Sequence, residues 1–155
     1  MSEQQAPPPI VVGVDGSVRS VAALRWAAQQ ARLTGAEVHA VTGWEVPVTI
    51  MMVPTYTEAD YARDAHLVLD RAVAEVQAEQ PDVRIATQLI QKRPALALTI
   101  AAQEAQLLVV GSHSHGGDEL PGLHLGSVAS YCVHHAPCPV VVIRGHEPRT
   151  SGTRS

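Results

Sequence analysis

Residues 107–144 read LLVVGSHSHGGDELPGLHLGSVASYCVHHAPCPVVVIR, and this stretch decides the fold. It opens with an apolar run that breaks at Gly111, and a loop rich in glycine and histidine follows. A helical pattern then begins at Gly126, and a second apolar run spans Val140–Ile143. Short apolar runs bounded by glycine and proline are typical of buried strands. The stretch therefore predicts a strand, a loop, a helix and a second strand.

The junction between this loop and its helix has the shape of an anion site. The first-turn N–H groups of a helix have no partners within the helix, so they can donate to whatever lies in the preceding loop. The helix dipole adds partial positive charge at the same place. We therefore expect a phosphate group as the ligand near Gly126.

The size and charge of the chain narrow the possible classes of protein. The chain has 155 residues, of which 46% are hydrophobic and 17% charged, so it fits one globular domain. A formal net charge of −4 and few aromatic residues argue against a nucleic-acid partner. The sequence has no apolar run of the roughly 18 residues that a membrane helix needs, and no basic leader before an apolar core. We expect a cytoplasmic protein with no membrane partner.

Apolar periodicity divides the chain into alternating strands and helices. Five short runs predict strands, at residues 10–14, 37–43, 83–90, 107–110 and from 140 onward. Four stretches with apolar residues three and four apart predict helices, at residues 18–34, 58–80, 95–103 and 126–135. Ser17 is the expected N-cap of the first helix, Gly35 ends it, and Pro94 starts the third. Residues 1–9 form a predicted disordered tail, residues 10–144 the domain, and residues 145–155 a flexible tail.

Strands that alternate with helices favour an α/β fold with a parallel sheet and helices on both faces. In such sheets ligands bind outside the carboxyl ends of the strands. The strand ends of interest are therefore Asp15, Gly43 and Gly111. The run at 83–90 alternates apolar and polar residues, which places it near an edge of the sheet.

Two common nucleotide motifs are missing from the sequence. The glycines from Gly111 to Gly117 are not followed by the Lys-Ser or Lys-Thr pair of a Walker A loop, and no G-x-G-x-x-G follows the first strand. These absences exclude a P-loop NTPase and a dinucleotide enzyme. The sequence also shows no nucleophile beside a base and no paired carboxylates, so we expect a protein that is not an enzyme.

Four pieces of sequence together resemble the universal stress protein family. They are V-x-x-D-G-S closing the first strand, L-L-V-V-G-S-H closing the fourth, L-G-S-V-A opening the last helix and H-H-A-P-C-P-V-V-V before the last strand. The resemblance spans Ile10 to Arg144. It implies a Rossmann-like, open five-stranded sheet of order 3-2-1-4-5, often a homodimer. In one large branch it also implies a site for ATP or another adenine nucleotide, without established catalysis.

The phosphate motif of that family is a glycine, two residues, a second glycine, nine residues, and then Gly-Ser or Gly-Thr. In this chain Gly111 holds the first place, Ser114 replaces the second glycine, and 11 residues separate it from Gly126. A serine there costs on the order of 1 kcal/mol if the backbone needs a positive φ. The longer loop carries the acidic pair Asp118-Glu119, which would repel phosphate if it faced inward.

The resemblance implies an adenosine side and a phosphate side of the site. On the adenosine side are Asp15 and the backbones of Val14 and Gly43. Around the phosphates are Gly111, Ser112, Ser114, Gly126, Ser127 and Val128. Because a carboxylate repels phosphate, the partner of Asp15 would be an exocyclic amine or a ribose hydroxyl.

Simpler roles stay open for several of these residues. Asp15 can instead help to cap the first helix, and Ser127 can be an ordinary N-cap of the last one. Trp44, just past the second strand, either shields the adenine or packs against the protein. The acidic residues of the long helix are interpreted as its solvated face, and they are Asp64, Asp70, Glu75 and Glu79.

Histidines and cysteines do not form a recognisable metal site. The residues concerned are His113, His115, His124, His134, His135, Cys132 and Cys138. No acidic or cysteine ligand accompanies the histidines at a fixed spacing, so no metal is expected. Histidines in the loop can instead lie near phosphate and become cationic on acidification. The two cysteines are interpreted as small buried hydrophobic residues.

These patterns lead to one functional hypothesis and two rivals. The hypothesis is a protein that binds an adenine nucleotide and acts through binding in a stress or dormancy response. The first rival is a nucleotide-independent, dimeric module for an unidentified protein partner, whose phosphate loop has diverged. Its edge strand, Val140–Ile143, would pair with a second copy, as the resemblance implies, unless the terminal tail covers it. The second rival is an enzyme of the related nucleotide-hydrolase group.

Overall fold

The computed structural model describes residues 6–47, 56–112 and 125–144. At its centre is a sheet of five parallel strands. The strands are β1 (Ile10–Gly13), β2 (Val38–Gly43), β3 (Ile85–Ile90), β4 (Leu107–Gly111) and β5 (Val140–Ile143). Their spatial order is β3-β2-β1-β4-β5, which confirms the order expected from the sequence.

Four helices within the described ranges accompany the strands. They are α1 (Val18–Thr34), α2 (Glu58–Glu79), α3 (Pro94–Ala101) and α4 (Ser127–His135), and a short 3-10 turn, Ala102–Glu104, follows α3. Each of the four α-helices begins and ends within two residues of the range predicted for it. The helix ends follow local chemistry, because the Ser17 hydroxyl caps α1 and Gly35 ends it in the left-handed conformation at φ 81°.

The sheet is buried between two apolar layers. On one face α1 and α2 cover Ile10 and Val12, with Leu24 of α1 fully buried. On the other face α3 and α4 cover Val11, with Leu98 of α3 against it. Because side chains alternate along a strand, a central strand covered on both faces needs apolar residues at every position. This explains the unbroken apolar run of β1.

The two edge strands differ in exposure. β3 leaves Ala86, Thr87 and Gln88 exposed, which confirms the edge position predicted from its alternating pattern. At the opposite edge, all four residues of β5 are half-buried. Both faces of β5 are therefore partly covered, while its outer edge has no neighbouring strand among the described residues.

An ion cluster joins the two helices on one face of the sheet. Arg25 of α1 donates to Glu79 of α2 through Nε, at 2.6 Å, and Nη2, at 3.0 Å. Its Nη2 also lies 3.4 Å from Glu75 Oε2. Both carboxylates remain partly exposed, as expected for a solvated face, but they also link α2 to α1.

The predicted N-terminal tail contacts the domain at its last residues. The carbonyl oxygens of Pro8 and Pro9 accept hydrogen bonds from the side chain and backbone of Gln106, at 2.7 and 2.9 Å. Residues 1–5 and the predicted C-terminal tail, 145–155, lie outside the described residues. No helix within the described ranges is long and apolar enough to cross a membrane.

Candidate functional site

A cavity of about 200 Å³ opens at the carboxyl ends of β1, β2 and β4. Sequence analysis predicted nine site residues, and six of them line this cavity: Val14, Asp15, Gly43, Gly111, Ser127 and Val128. The cavity lies where the winding of the sheet reverses, between β1 and β4, which is the usual ligand position in open α/β sheets.

Of the other three predicted residues, two are next to the wall in the chain and one lies outside the described residues. Ser112 and Gly126 are the chain neighbours of the wall residues Gly111 and Ser127. The Ser112 N–H donates to the Ile143 carbonyl at 2.9 Å, so this amide is held by β5. Ser114 lies outside the described residues, as does the acidic pair 118–119.

Three hydrogen bonds fix the turn between β1 and α1. The buried Thr42 Oγ1 donates to the Val14 carbonyl at 2.7 Å. The Asp15 N–H donates to Ser20 Oγ at 3.2 Å, and the Ser17 N–H donates to Asp15 Oδ1 at 2.9 Å. Asp15 therefore supports the start of α1, as the simpler alternative held, and it also lies in the cavity wall.

The backbone of Val14 is largely committed to the sheet. Its N–H donates to the Val41 carbonyl at 2.9 Å, and its own carbonyl accepts from Thr42. A carbonyl oxygen has two lone pairs, so a ligand can still donate to it. The Val14 N–H, by contrast, is already used within the sheet.

The start of α4 has no side-chain cap among the described residues. Gly126 is the N-cap, at φ 82° and ψ 162°, and the first helical bond runs from the Ser130 N–H to the Gly126 carbonyl at 3.0 Å. Ser127 is thus the first helical residue, and the alternative that it caps the helix is wrong. Its neighbours in the first turn, Val128 and Ala129, also line the cavity. Amides in a first turn lack helical acceptors, so this wall offers N–H donors and partial positive charge.

Two glycines in the wall are explained by packing. A Cβ at Gly111 would lie 2.8 Å from the Arg19 carbonyl oxygen, and a Cβ at Gly43 would lie 2.8 Å from the Lys92 carbonyl oxygen. Side-chain carbons do not come that close to backbone oxygens. Glycine at these strand ends therefore lets the starts of α1 and α3 approach the sheet.

Sequence analysis missed several wall residues. Arg19 comes from the first turn of α1, Val41 from β2 and Leu98 from α3. Val41 and Leu98 are almost fully buried, so one part of the cavity is apolar. An apolar part beside a set of convergent polar groups suits a ligand with a flat, weakly polar end and an anionic end. Nothing local in the sequence singles out these three residues, because they meet only in the folded sheet.

Cys132 lies on the buried side of α4 and Cys138 follows that helix, and neither is among the described residues that line the cavity. Cys132 is fully buried, and Cys138 is half-buried in the same apolar layer. Burial, with a smaller effect of the nearby Cys138, raises the pKa of the Cys132 thiol to about 11. Cys132 therefore behaves as the buried hydrophobic residue that the sequence predicted.

The histidines and Trp44 have different places relative to the cavity. His113, His115 and His124 lie outside the described residues, whereas the His135 ring stacks 4.4 Å from that of Tyr131. No group of three potential metal ligands occurs within the described ranges. Trp44 is half-buried, and its backbone N–H donates to the Ile90 carbonyl at 3.0 Å. It is not among the described residues that line the cavity.

Comparison with families and curated proteins gives a consistent result. The model of the Universal stress protein family matches residues 8–144. A universal stress protein of Mycobacterium tuberculosis is 38% identical over 136 residues, an alignment that covers 88% of this chain and 45% of that protein. The chain thus spans about half the length of the curated relatives it matches.

Solved structures of similar fold include two with bound nucleotides. A universal stress protein in complex with cAMP matches with a TM-score of 0.69 and 26% identity, covering 90% of this chain and 98% of that one. The universal stress protein from Archaeoglobus fulgidus in complex with dAMP matches with a TM-score of 0.64 and 27% identity, covering 90% and 99%.

Proposed function

The chain belongs to the universal stress protein family, and from this we propose that it binds ATP or another adenine nucleotide. We propose further that it acts through this binding, without catalysis, in a stress or dormancy response. We expect it to do so in the cytoplasm, without a nucleic-acid or membrane partner.

The uncapped start of α4 in the cavity wall is the observation that carries this proposal. Both α1 and α2 have a side chain that accepts from a first-turn amide, namely Ser17 and Thr57. α3 and α4 have none among the described residues, but α3 begins with Pro94, which has no N–H, whereas Ser127, Val128 and Ala129 of the first turn of α4 line the cavity. A phosphate oxygen there would satisfy N–H groups that no side chain satisfies.

The apolar part of the cavity supports the adenine end of the ligand. Val41 and Leu98 line the cavity with apolar side chains, which an adenine base would contact. Asp15, in the turn between β1 and α1, can accept a hydrogen bond from a ribose hydroxyl or an exocyclic amine. The two relatives with bound cAMP and dAMP support an adenine ligand of this kind. Since ligand sites commonly enclose about 300–1,000 Å³, part of a nucleotide would extend beyond the 200 Å³ cavity.

The proposed residue roles follow this orientation. Asp15 and the backbones of Val14 and Gly43 would contact the adenosine. The phosphate group would be surrounded by Gly111, Ser112, Ser114, Gly126, Ser127 and Val128. The serines near Asp15 have structural partners, because Ser17 Oγ accepts from the Ser20 N–H and Ser20 Oγ donates to the Ser17 carbonyl. This arrangement supports binding rather than attack on a phosphate.

A charge placed at the start of α4 tests the proposal. Ser127→Asp puts a carboxylate beside the first-turn amides, where it favours the helix and competes with phosphate. Ser127→Asn is the matched neutral control. In a thermal shift assay, ATP should raise the melting temperature of the wild type and of Ser127→Asn by mass action. Ser127→Asp should melt at or above the wild-type temperature without ATP, and should gain little from ATP.

Two results would reject nucleotide binding at this site. One is a wild type that shows neither a thermal shift nor calorimetric heat at millimolar ATP or cAMP. The other is a Ser127→Asp variant that responds to ATP as the wild type does. Because this variant should remain folded, loss of its response cannot be attributed to unfolding.

The position of β5 favours a second candidate function, a dimeric interaction module that works without nucleotide. β5 is an edge strand of four apolar residues, and its outer side can pair with a second copy. Val142→Pro would remove one N–H and obstruct edge pairing. Sedimentation should show a wild-type dimer and a monomeric variant. A wild type that sediments as a monomer at all concentrations would reject pairing through β5.

A further inference from the structure

We infer that Arg19 supplies a positive charge to the phosphate groups of the bound nucleotide, so that affinity rises with the number of phosphates. This inference rests on the proposed function and adds a residue that the family resemblance did not indicate. It concerns the first turn of α1, on the side of the cavity opposite α4.

Arg19 is held at the junction of three elements of the site. It is half-buried and lines the cavity together with Asp15 of the preceding turn and Ser127 of α4. Its carbonyl oxygen lies 2.8 Å from the place of a Cβ on Gly111, so its backbone is pressed against the end of β4. This contact fixes the backbone of Arg19, and with it the start of the side chain, beside the end of β4.

The place of Arg19 in its helix is unfavourable for the helix itself. A cation near a helix N-terminus opposes the macrodipole, whereas an acidic residue there is favourable. α2 follows this rule with Glu58 and Asp60 in its first turn. α1 has no acidic residue in its first turn, and its other terminal cation, Arg32, lies in the last turn, where a positive charge is favourable. Residues that break a local rule in this way are expected at functional sites.

An anionic ligand would account for the unfavourable placement of Arg19 in the first turn of α1. A guanidinium has five N–H donors in a planar fork, which matches the oxygens of a phosphate and gives charge-assisted hydrogen bonds. The chain carries a net charge of −4, and Asp15 adds a carboxylate to the same wall. A cation in the wall offsets that charge and lets an anion approach the amides of α4.

A purely structural role for Arg19 predicts a different pattern. Asp15 lies four residues before Arg19. If Arg19 acted only by pairing with Asp15, it would orient the Asp15 carboxylate toward the adenosine. Loss of Arg19 would then weaken the binding of adenosine and the binding of ATP by the same factor. Loss of a phosphate contact would weaken the binding of ATP and leave the binding of adenosine nearly unchanged.

Titration calorimetry of the full chain distinguishes these roles. The ligands are adenosine, AMP, ATP and inorganic tripolyphosphate, and the variants are Arg19→Met, Arg19→Lys and the control Arg32→Met. Arg32→Met removes the same charge from the far end of α1. Arg19→Met should weaken ATP and tripolyphosphate about tenfold or more, as expected for hydrogen bonds to a charged group. Arg19→Met should change the affinity for adenosine less than about twofold. Arg19→Lys should restore part of the lost affinity for ATP because it keeps the charge.

The outcomes separate this inference from the proposed function. If Arg19→Met weakens adenosine and ATP equally, or if Arg32→Met matches its effect, the inference fails while nucleotide binding stands. If tripolyphosphate binds in an Arg19-dependent way but no adenine compound binds, only the contact between Arg19 and phosphate stands, and the proposed function fails. If the wild type binds none of the four ligands, both fail.

Discussion

The hydroxyl of Thr42, at the end of β2, donates a 2.7 Å hydrogen bond to the carbonyl of Val14, just past the end of β1. Thr42 is only 7% exposed, so this bond is made away from water. It ties together two strand ends that are 28 residues apart in the chain. The direction in which the chain enters the Asp15 turn is therefore set from β2.

Removal of this hydroxyl should weaken both the fold and the ligand site. Thr42→Val keeps the shape of the side chain but leaves the buried Val14 carbonyl without its partner, which costs about 1–3 kcal/mol in the free energy of unfolding. Urea denaturation should show this loss, and nucleotide affinity should fall with it. Thr42→Ser should restore most of both quantities.

The control for this variant is Thr87→Val on the exposed edge strand β3. A surface substitution of this kind should change the free energy of unfolding by no more than about 0.5 kcal/mol. Equal stability of Thr42→Val and Thr87→Val would contradict a role for the Thr42 hydroxyl.

Gly126 and Gly35 should respond differently to the same substitution. Both have positive φ, but Gly126 has ψ 162°, a region occupied almost only by glycine, whereas Gly35 has ψ 8°. Asparagine tolerates the left-handed conformation of Gly35, where a new Cβ would meet no atom within 4 Å. Gly126→Asn should therefore lose about 1–3 kcal/mol of stability, and Gly35→Asn should lose clearly less. Similar melting temperatures for the two variants would argue against the geometry of the α4 start.

The ion cluster between α1 and α2 should make stability depend on pH. The Arg25 hydrogen bonds hold the pKa of the Glu79 carboxyl below its ordinary value of 4.5. A lowered acidic pKa stabilises the folded state above the ordinary value, and this contribution is lost as the pH falls through the lowered one. Glu79→Gln should melt below the wild type at neutral pH, and the difference should vanish in acid.

Glu104→Gln is the charge-matched control for this effect, since Glu104 makes no ion pair within the part of the chain described here. Its melting temperature should follow that of the wild type at every pH. A difference between Glu79→Gln and wild type that persists unchanged in acid would show that the ion pair is not its cause.

The raised pKa of Cys132 predicts slow alkylation. A thiol that is buried and protonated at neutral pH is a poor nucleophile. Iodoacetamide should modify the half-buried Cys138 first in the native protein, and it should modify both cysteines rapidly in denaturant. Peptide mass spectrometry measures both rates, and equal native rates would contradict the burial of Cys132.

Local chemistry explains why so much of the fold could be predicted. Ser17, Gly35 and Pro94 mark helix ends through their own side chains or backbone freedom, so their signals are readable in sequence. The unbroken apolar run of β1 shows that both faces of the sheet are covered. The family resemblance supplied the strand order, which periodicity alone does not determine.

The parts of the site that sequence analysis missed are non-local. Leu98 and Arg19 reach the cavity only because α3 and α1 pack against the ends of neighbouring strands. The wrong alternative for Ser127 has a different origin, since serine is a common N-cap and nothing in the sequence shows that Gly126 takes that place. Backbone angles at a loop end depend on where the helix docks.

The two hydrogen bonds from Gln106 to the carbonyls of Pro8 and Pro9 have a practical consequence for laboratory work. They hold Pro8 and Pro9 next to the first residue of β1, and the four residues of β1, about 13 Å at 3.3 Å each, separate these prolines from the cavity. An affinity tag or a surface tether attached there leaves the mouth of the cavity unobstructed. Immobilised protein should then bind small molecules as it does in solution.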